Sequence, residues 1–349
     1  MKPFETAFSL LSDAVRSGAA PCAAAAVGIG DRLLRQEVFG NAQLYPTVLP
    51  ADQNTRFDMA SLTKILSTTT VTFRLIEVGR LCLDDTLGRF LEVPSDKAEI
   101  TVQQLLTHTS GFAPHMDLER CAPSPKEALS FILSEPLTYT PGTQEAYSCM
   151  GYIVLGKLLE QVGGAPLDQL AQKYVFSPLG MTHTGYRPAG DNFAATEKLS
   201  DATFLSGVVH DENARFLGGV SGNAGLFSDL ADVTIFASML ACGGRHKGKY
   251  FLSPAMLQAA LHNYTPGMAE NRGLGFFLKT PGNFHGDLVS PRSYGHTGFT
   301  GTSLLIDPDT GLYAVLLSNR VHPTRENTRF LRVRRVFHNA IAAELPRLL

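Results

Sequence analysis

The chain has no excess of charge of either sign, no long apolar run and no paired cysteine pattern, and each absence removes a class of function. Lys and Arg number 30 against 32 Asp and Glu, a net charge of −2. That balance gives no electrostatic case for nucleic acid or an anionic membrane as partner. No apolar stretch is long enough to span a bilayer. The opening Met1-Lys2-Pro3-Phe4-Glu5 leads straight into a helical pattern through Phe8, Leu10, Leu11, Ala14 and Val15, with an acidic residue and polar interruptions where a secretory core would be apolar. The chain as it stands reads as cytoplasmic, and as periplasmic or secreted if a leader has been trimmed. Cys22, Cys82, Cys121, Cys149 and Cys242 are an odd number without paired spacing, which points to reduced thiols rather than a disulfide framework. The ten histidines form no HExxH and no Cys/His cluster, so no metal site is expected, including at His108 and His115. Internal repeats, low-complexity tracts and long charged linkers are absent too.

What is present is ample for a core. The 349 residues are 44% hydrophobic, enough for one large or two interleaved domains. Apolar runs at 23–30 and 33–39 flank Gly30-Asp31 and predict a hairpin. Helical patterns occupy 101–107, 125–133, 150–162 and 166–176, the third ending at Gly163-Gly164 and the fourth at Pro178-Leu179-Gly180. Near the end the period changes. Strand-like runs at 302–306 and 312–317 are joined by the turn Asp307-Pro308-Asp309-Thr310-Gly311, and a last helix carries Phe330, Val333, Phe337, Ile341 and Leu345 on one side. Arg329, Arg332, Arg334 and Arg335 read as the solvated face of that helix. Strands at both ends and helices between predict an α/β (α+β) fold: one antiparallel sheet built from both termini, flanked by helices, with an inserted all-helical region. Residues 1–60 and 210–349 would form the α/β part of one catalytic domain and 61–209 the mainly helical part.

At the crossing between the two parts, where clefts form, stands Ser61-Leu62-Thr63-Lys64. Leu62, Ile65, Leu66, Phe73 and Ile76 fit a helix with one buried stripe, stopped at Gly79. Positions three apart share a face, so the Ser61 hydroxyl and the Lys64 amine can meet. Unpaired amides of a first helical turn favour the negative charge an attacking serine develops, and burial beside other cations lowers a lysine pKa towards that of a base. The run Thr68-Thr69-Thr70-Val71-Thr72 is a weak helix former, so packing must hold this helix. By itself Ser-x-x-Lys equally describes a capped helix with a solvated lysine.

Two further segments bear on it. Tyr147-Ser148-Cys149 leads into the helix at 150–162, where Tyr147 either offers its phenol to a cleft or is a half-buried aromatic with a bonded hydroxyl. His296-Thr297-Gly298 enters the strand pair. It is either a Gly-rich strand entry or an edge that pairs with an extended substrate, with the Phe299 and Ser61 amides forming an oxyanion hole.

In this order, Ser61-Leu62-Thr63-Lys64, Tyr147-Ser148-Cys149 and His296-Thr297-Gly298 resemble the serine β-lactamase-like superfamily, and more narrowly class C β-lactamases, penicillin-binding DD-peptidases and related esterases. Phe57-Asp58-Met59-Ala60, the segments 105–112, 152–156 and 178–181, and the Gly-rich loop 218–228 are similar as well. The resemblance covers nearly the whole chain. It implies an α/β sandwich with an all-helical region and the site between them. It implies Ser61 as the acylated nucleophile, Lys64 as its proton partner, Tyr147 as general base or proton shuttle, and His296 in place of a Lys or His that tunes Tyr147 and binds a substrate carboxylate. Thr297, Gly298, Cys149 and Asn223 would touch substrate, and no metal or organic cofactor is expected. The implied function is a serine hydrolase acting through an acyl-enzyme on a D-amino-acid peptide, a β-lactam or a small ester. The alternative is a penicillin-binding sensor that forms a stable adduct. The partner is a small-molecule or peptide substrate, and nothing indicates an oligomeric state.

Two positions depart from the pattern. Cys149 stands where the family usually has Asn, and a thiol donates and accepts more weakly than an amide; it reads as a small packed thiol before a catalytic one. His296 in place of Lys predicts an anion-binding charge that titrates near neutrality. Residues 209–214, followed by the 218–228 loop, resemble a D-alanyl-D-alanine carboxypeptidase-like subgroup, with the loop either lining the site or shaping the approach to the next helix.

Overall fold

The alanine-rich run after the first helix becomes the centre of the sheet. In the computed structural model, which describes residues 2–199 and 203–347, the antiparallel sheet has seven strands. Their order is Leu49–Pro50, Arg32–Gln43, Cys22–Ile29, Leu312–Ser318, Ser303–Asp307, Tyr294–Thr297 and Phe277–Leu278. Strand side chains alternate between faces. Ala23, Ala25, Val27, Leu305, Ala314 and Leu316 pack with Phe8, Leu11, Phe330 and Phe337 of the helices Glu5–Arg16 and Arg329–Glu344. Ala24, Ala26, Leu304, Ile306, Val315 and Leu317 join the other core, which contains the helix Leu230–Ala241 and the helical region. Both faces are covered, which is why these strands read as continuous apolar runs. Gly30, at φ +58°, makes the predicted hairpin turn.

The helical patterns are found at Val102–Leu106, Ala128–Ser134, Cys149–Gly163 and Leu167–Ala171, the last continuing as a wide turn over Gln172–Phe176. Thr101 and Gln104 close a capping box on the first, and Ser148 caps the third by accepting from the Gly151 amide. The Ser61 segment departs from the expected one-stripe helix. It is a 3₁₀ turn at Ala60–Leu62, a π-helical stretch at Lys64–Thr69 and an α-helix at Thr70–Glu77. Every residue from 62 to 73 is buried, so it runs through the core and has no solvent face. The threonines that make it a poor helix former are what make this possible. Thr70 Oγ1 donates to the Ile65 carbonyl at 2.6 Å, Thr72 Oγ1 to Thr68 O at 2.8 Å and Thr68 Oγ1 to Gly222 O at 2.7 Å. Each hydroxyl finds a backbone acceptor, as burial requires.

A small three-stranded sheet, Phe57–Asp58 beside Leu226–Ser228 beside Gly185–Tyr186, carries the chain into this segment. The Gly218–Gly225 loop closes over it. A Cβ on Gly222 would lie 2.0 Å from the Tyr152 carbonyl oxygen, so only glycine lets the loop reach the helix Cys149–Gly163. No helix among the described residues is long and apolar enough to cross a membrane.

Candidate active site

Ser61 sits in a turn held from outside. Ala60 has a left-handed backbone, φ +45°, unusual for a residue with a Cβ. The buried Asp58 carboxylate accepts from the Ala60 amide at 2.8 Å and from the His210 amide at 2.6 Å. Thr300 and Thr302 donate their hydroxyls to the Asp58 and Met59 carbonyls at 2.8 and 3.2 Å. The turn is thereby tied to the sheet strands that follow His296, and Ser61 is half-exposed at its crest.

Lys64 lies one turn on, fully buried, with Nζ 3.0 Å from Ser61 Oγ, 3.0 Å from the Asn223 carbonyl and 3.6 Å from Cys149 Sγ. It faces the rings of Tyr147 and Tyr152 at 4.9 and 5.5 Å. Lys64 and Ser61 stand near enough to the Tyr147 hydroxyl to favour its ionised form. Burial works to lower the Lys64 pKa, but the negative charge that Cys149 and Tyr147 develop, with Asp211 behind them, outweighs it and moves the amine upward. The expected downward shift is therefore reversed: Lys64 is held as an ammonium. Burial raises the Tyr147 phenol, and Lys64 opposes that rise. An ammonium between a serine and a phenol stabilises negative charge on either oxygen.

His296 is buried, and its ring stands 6.0 Å from that of Tyr147 and 5.0 Å from that of Phe277. The Thr297 amide donates to its Nδ1 at 2.9 Å. Burial, then Lys64 and Arg272, push its pKa well below the usual value. The imidazole is neutral at physiological pH and is not the titrating anion-binding charge expected from sequence. Beyond it, Gly298 passes so close to Met59 that a Cβ would lie 2.7 Å from that carbonyl, and Phe299 follows into the cavity that Ser61 lines. The neighbouring strand Phe277–Leu278 pairs only with Tyr294 and Gly295 and leaves the edge at His296 and Thr297 unpaired by strand.

Ser61, Tyr147, Phe277, the stretch 296–299, Arg320, Leu331 and Arg334 line one cavity of about 280 Å³. A larger one, about 670 Å³ between Leu240 and Arg292, is lined by no serine, threonine or cysteine. Asn223 does not line the Ser61 cavity. Its side chain is buried, accepting from Ser221 Oγ at 2.7 Å and donating to Asp211 at 3.2 Å, and only its carbonyl turns to Lys64. The 218–228 loop thus meets the site through main chain. Cys149 begins its helix with Sγ towards Lys64.

Arg320 and Arg334 were not anticipated. Arg334, read as part of a solvated face, is half-buried with Nε shut off from solvent, and Nη1 lies 3.2 Å from Thr302 O. Its spacing from Phe330 and Phe337 places it on the buried side of the terminal helix, a signal visible in the sequence. Arg320 is buried against Phe299, 4.7 Å from the ring, and donates to the carbonyls of Arg325 and Asn327. Among the described residues neither has a carboxylate within ion-pairing distance. Glu197, which favours the charge on Arg320, is engaged by Arg325 and His210. Burial lowers both guanidinium pKa values, and for Arg334, with Arg320 adding to the effect, down to about 10.

A half-exposed serine hydroxyl over a buried lysine amine and beside a tyrosine, at a strand edge between the sheet and the helices, is the arrangement of a serine hydrolase. The beta-lactamase family profile matches residues 8–336, and the chain belongs to that family as a serine hydrolase. An Escherichia coli (strain K12) relative named "Putative D-alanyl-D-alanine carboxypeptidase" is 30% identical over 336 residues, covering 84% of this chain and 76% of its own length. One of the same name from Salmonella typhi is 30% identical over 344 residues, covering 86% and 78%. Among solved structures, the fold is similar to that of EstCE1, described as a hydrolase with promiscuous acyltransferase activity, at TM-score 0.77 and 22% identity, covering 96% of this chain and 97% of that one. A penicillin-binding protein homologue from Caulobacter crescentus has TM-score 0.77 at 18% identity, covering 97% of each.

Proposed function

We propose that this serine hydrolase forms an acyl-enzyme on Ser61 with substrates that carry a carboxylate beside the scissile bond, as a peptide ending in D-alanyl-D-alanine does. One observation carries the reading: the cavity lined by Ser61, whose Oγ meets Lys64, is also lined by two guanidiniums that have no carboxylate partner among the described residues. An uncompensated charge pair out of water is costly, and a substrate carboxylate relieves that cost while aligning the bond over Ser61. The names of the 30%-identical relatives support the same substrate class.

In this reading the substrate lies along the edge at Thr297 and Gly298 with its terminal carboxylate towards Arg334 and Arg320. Ser61 Oγ attacks the scissile carbonyl carbon and gives its proton to the Tyr147 oxygen, which the Lys64 ammonium stabilises as phenolate. The Ser61 and Phe299 amides receive the oxyanion. Collapse breaks the carbonyl–nitrogen bond, and Tyr147 returns the proton to the leaving amine. Water then repeats the sequence on the ester, releasing the acid and restoring Ser61. His296, neutral, packs against Tyr147 and adds no charge. Cys149 supplies no amide donor to the acyl carbonyl, which favours the second reading, a long-lived adduct, for bulky β-lactams.

Incubation with a fluorescent penicillin and with p-nitrophenyl esters, comparing wild type with Ser61→Ala, tests this. Turnover that disappears in Ser61→Ala is the expected result. A stable label without turnover identifies the adduct-forming reading, and label or turnover unchanged by Ser61→Ala overturns both.

A further inference from the structure

Tyr147 is held by a charged pair that the mechanism above does not use. Glu145, two residues before it, is 3% exposed and ion-paired at 2.8 Å with Arg272, also 3% exposed. A buried ion pair is expensive to form and is weak evidence of stability by itself, so its location is informative. The Arg272 guanidinium lies 3.7 Å over the Phe277 ring and 5.5 Å from the Tyr147 ring. Phe277 stacks on Tyr147, centroids 6.2 Å apart and planes 16° from parallel. The His108 ring packs against Tyr147 with centroids 4.5 Å apart and planes tilted by 39°. His108 is itself fixed: its Nδ1 accepts from the Ser148 amide at 3.1 Å. Arg272 Nη1 is buried with no partner among the described residues. The pair therefore joins the loop before Tyr147 to the strand that carries Phe277, and the phenol stands among Phe277, His108 and Arg272.

We infer that Arg272, anchored by Glu145, is a positioning residue for Tyr147, fixing the phenol's ring so that its oxygen stays on Ser61 and Lys64. The arrangement has an electrostatic side as well. Arg272 is among the cations that keep His108 and His296 neutral, so the imidazoles beside Tyr147 stay uncharged. Tyr147 faces Lys64, Cys149, His108, His296 and Arg272, and a cation at that distance favours phenolate over phenol.

The inference rests on the Ser61 acylation proposed above, and its test separates the two. Rates with a p-nitrophenyl ester are measured for Arg272→Met, Arg272→Lys and Arg272→Met/Glu145→Leu, each with Tyr147 intact and as Tyr147→Phe. With Tyr147 present, Arg272→Met lowers kcat about 100-fold, the scale of a misplaced catalytic group, and leaves KM within about 3-fold. Arg272→Lys recovers part of the loss. The double variant, which leaves no carboxylate buried alone, restores the melting temperature but not kcat. In the Tyr147→Phe background none of these changes costs further activity, because the residue acts through Tyr147. Equal losses in both backgrounds, or wild-type kcat in the double variant, overturn the inference and leave Ser61 acylation standing. An unlabelled wild type overturns acylation. In that case the tyrosinate absorbance titration, read as wild type minus Tyr147→Phe, still decides: Arg272→Met moves the Tyr147 component to higher pH if the inference holds and leaves it in place if the pair is only structural.

Discussion

The two walls of the Ser61 cavity differ in how their charges are satisfied. On the helical wall Lys64 is shared among Ser61 Oγ, the Asn223 carbonyl, Cys149 and Tyr147, and Arg272 has Glu145. On the sheet wall Arg320 and Arg334 meet carbonyls and an aromatic face, and no carboxylate among the described residues. The helical side sets its polar groups against one another, as a preorganised reaction centre requires, with Arg272 Nη1 left unpartnered among the described residues. In the proposed reading the sheet side receives the substrate anion. Chemistry then falls to one side and recognition to the other, and the two are separable by substitution.

Breaking the helical wall has the largest effect. Ser61→Ala lowers turnover by about 10⁴-fold or more, and Tyr147→Phe by about 10²–10⁴-fold, for acid and neutral substrates alike, checked by steady-state rates with a peptide and an ester. Breaking the sheet wall has a smaller and selective effect. Arg320→Met/Arg334→Met lowers kcat/KM about 10–100-fold for a substrate with a free carboxylate, the loss of one charge-assisted contact worth ~1.5–3 kcal/mol shared between the two guanidiniums, and leaves an uncharged p-nitrophenyl ester within about 3-fold. Smaller again is Cys149→Asn. An added amide hydrogen bond, ~0.5–1.5 kcal/mol, speeds β-lactam release about 3–10-fold in a nitrocefin assay and leaves ester turnover nearly unchanged.

The smallest effect on rate is that of pH on recognition. Because His296 is already neutral, KM for an acidic substrate stays flat between about pH 6 and pH 8, whereas a titrating histidine would tighten binding as pH falls. The histidines act on stability instead. Burial lowers His338 to about 4 and His285 to about 3. A folded-state pKa below the unfolded value means the unfolded chain takes up protons first, so stability falls as pH drops below about 6.5 and goes on falling until the folded pKa is reached. The loss is on the order of 1 kcal/mol per pH unit for each such histidine. Melting temperatures measured from about pH 7 down to pH 5 check the sign.

Much of the frame was legible, and the reasons differ by element. The strands at 23–30 and 312–317 were visible because burial on both faces leaves an unbroken apolar run. The helix from Cys149 to Gly163 was visible at 150–162 because it is strongly apolar and a glycine pair ends it. The Ser61 segment was misread as one-faced because polar threonines occupy its buried positions; they are tolerated through acceptors in the preceding turn at Ile65 and Thr68 and a distant one at Gly222. Lys64 defied the expected shift because its neighbours, which come from distant segments, outweigh burial. Arg334 was readable from its spacing to Phe330 and Phe337, but its chemical type argued for solvent and that argument prevailed. Glu145 and Arg272 carry no local signature, since they lie 127 residues apart; Asp58 belongs to a segment that resembles the family, but its contact with His210 spans 152 residues.

The division between the walls is tested most directly by one ratio: kcat/KM for a peptide ending in D-alanyl-D-alanine over that for the same peptide as its C-terminal amide, in wild type and in Arg320→Met/Arg334→Met. The account predicts a wild-type ratio well above one that collapses towards one in the variant while ester turnover persists. A ratio near one in the wild type, or one that survives the double substitution, would contradict it.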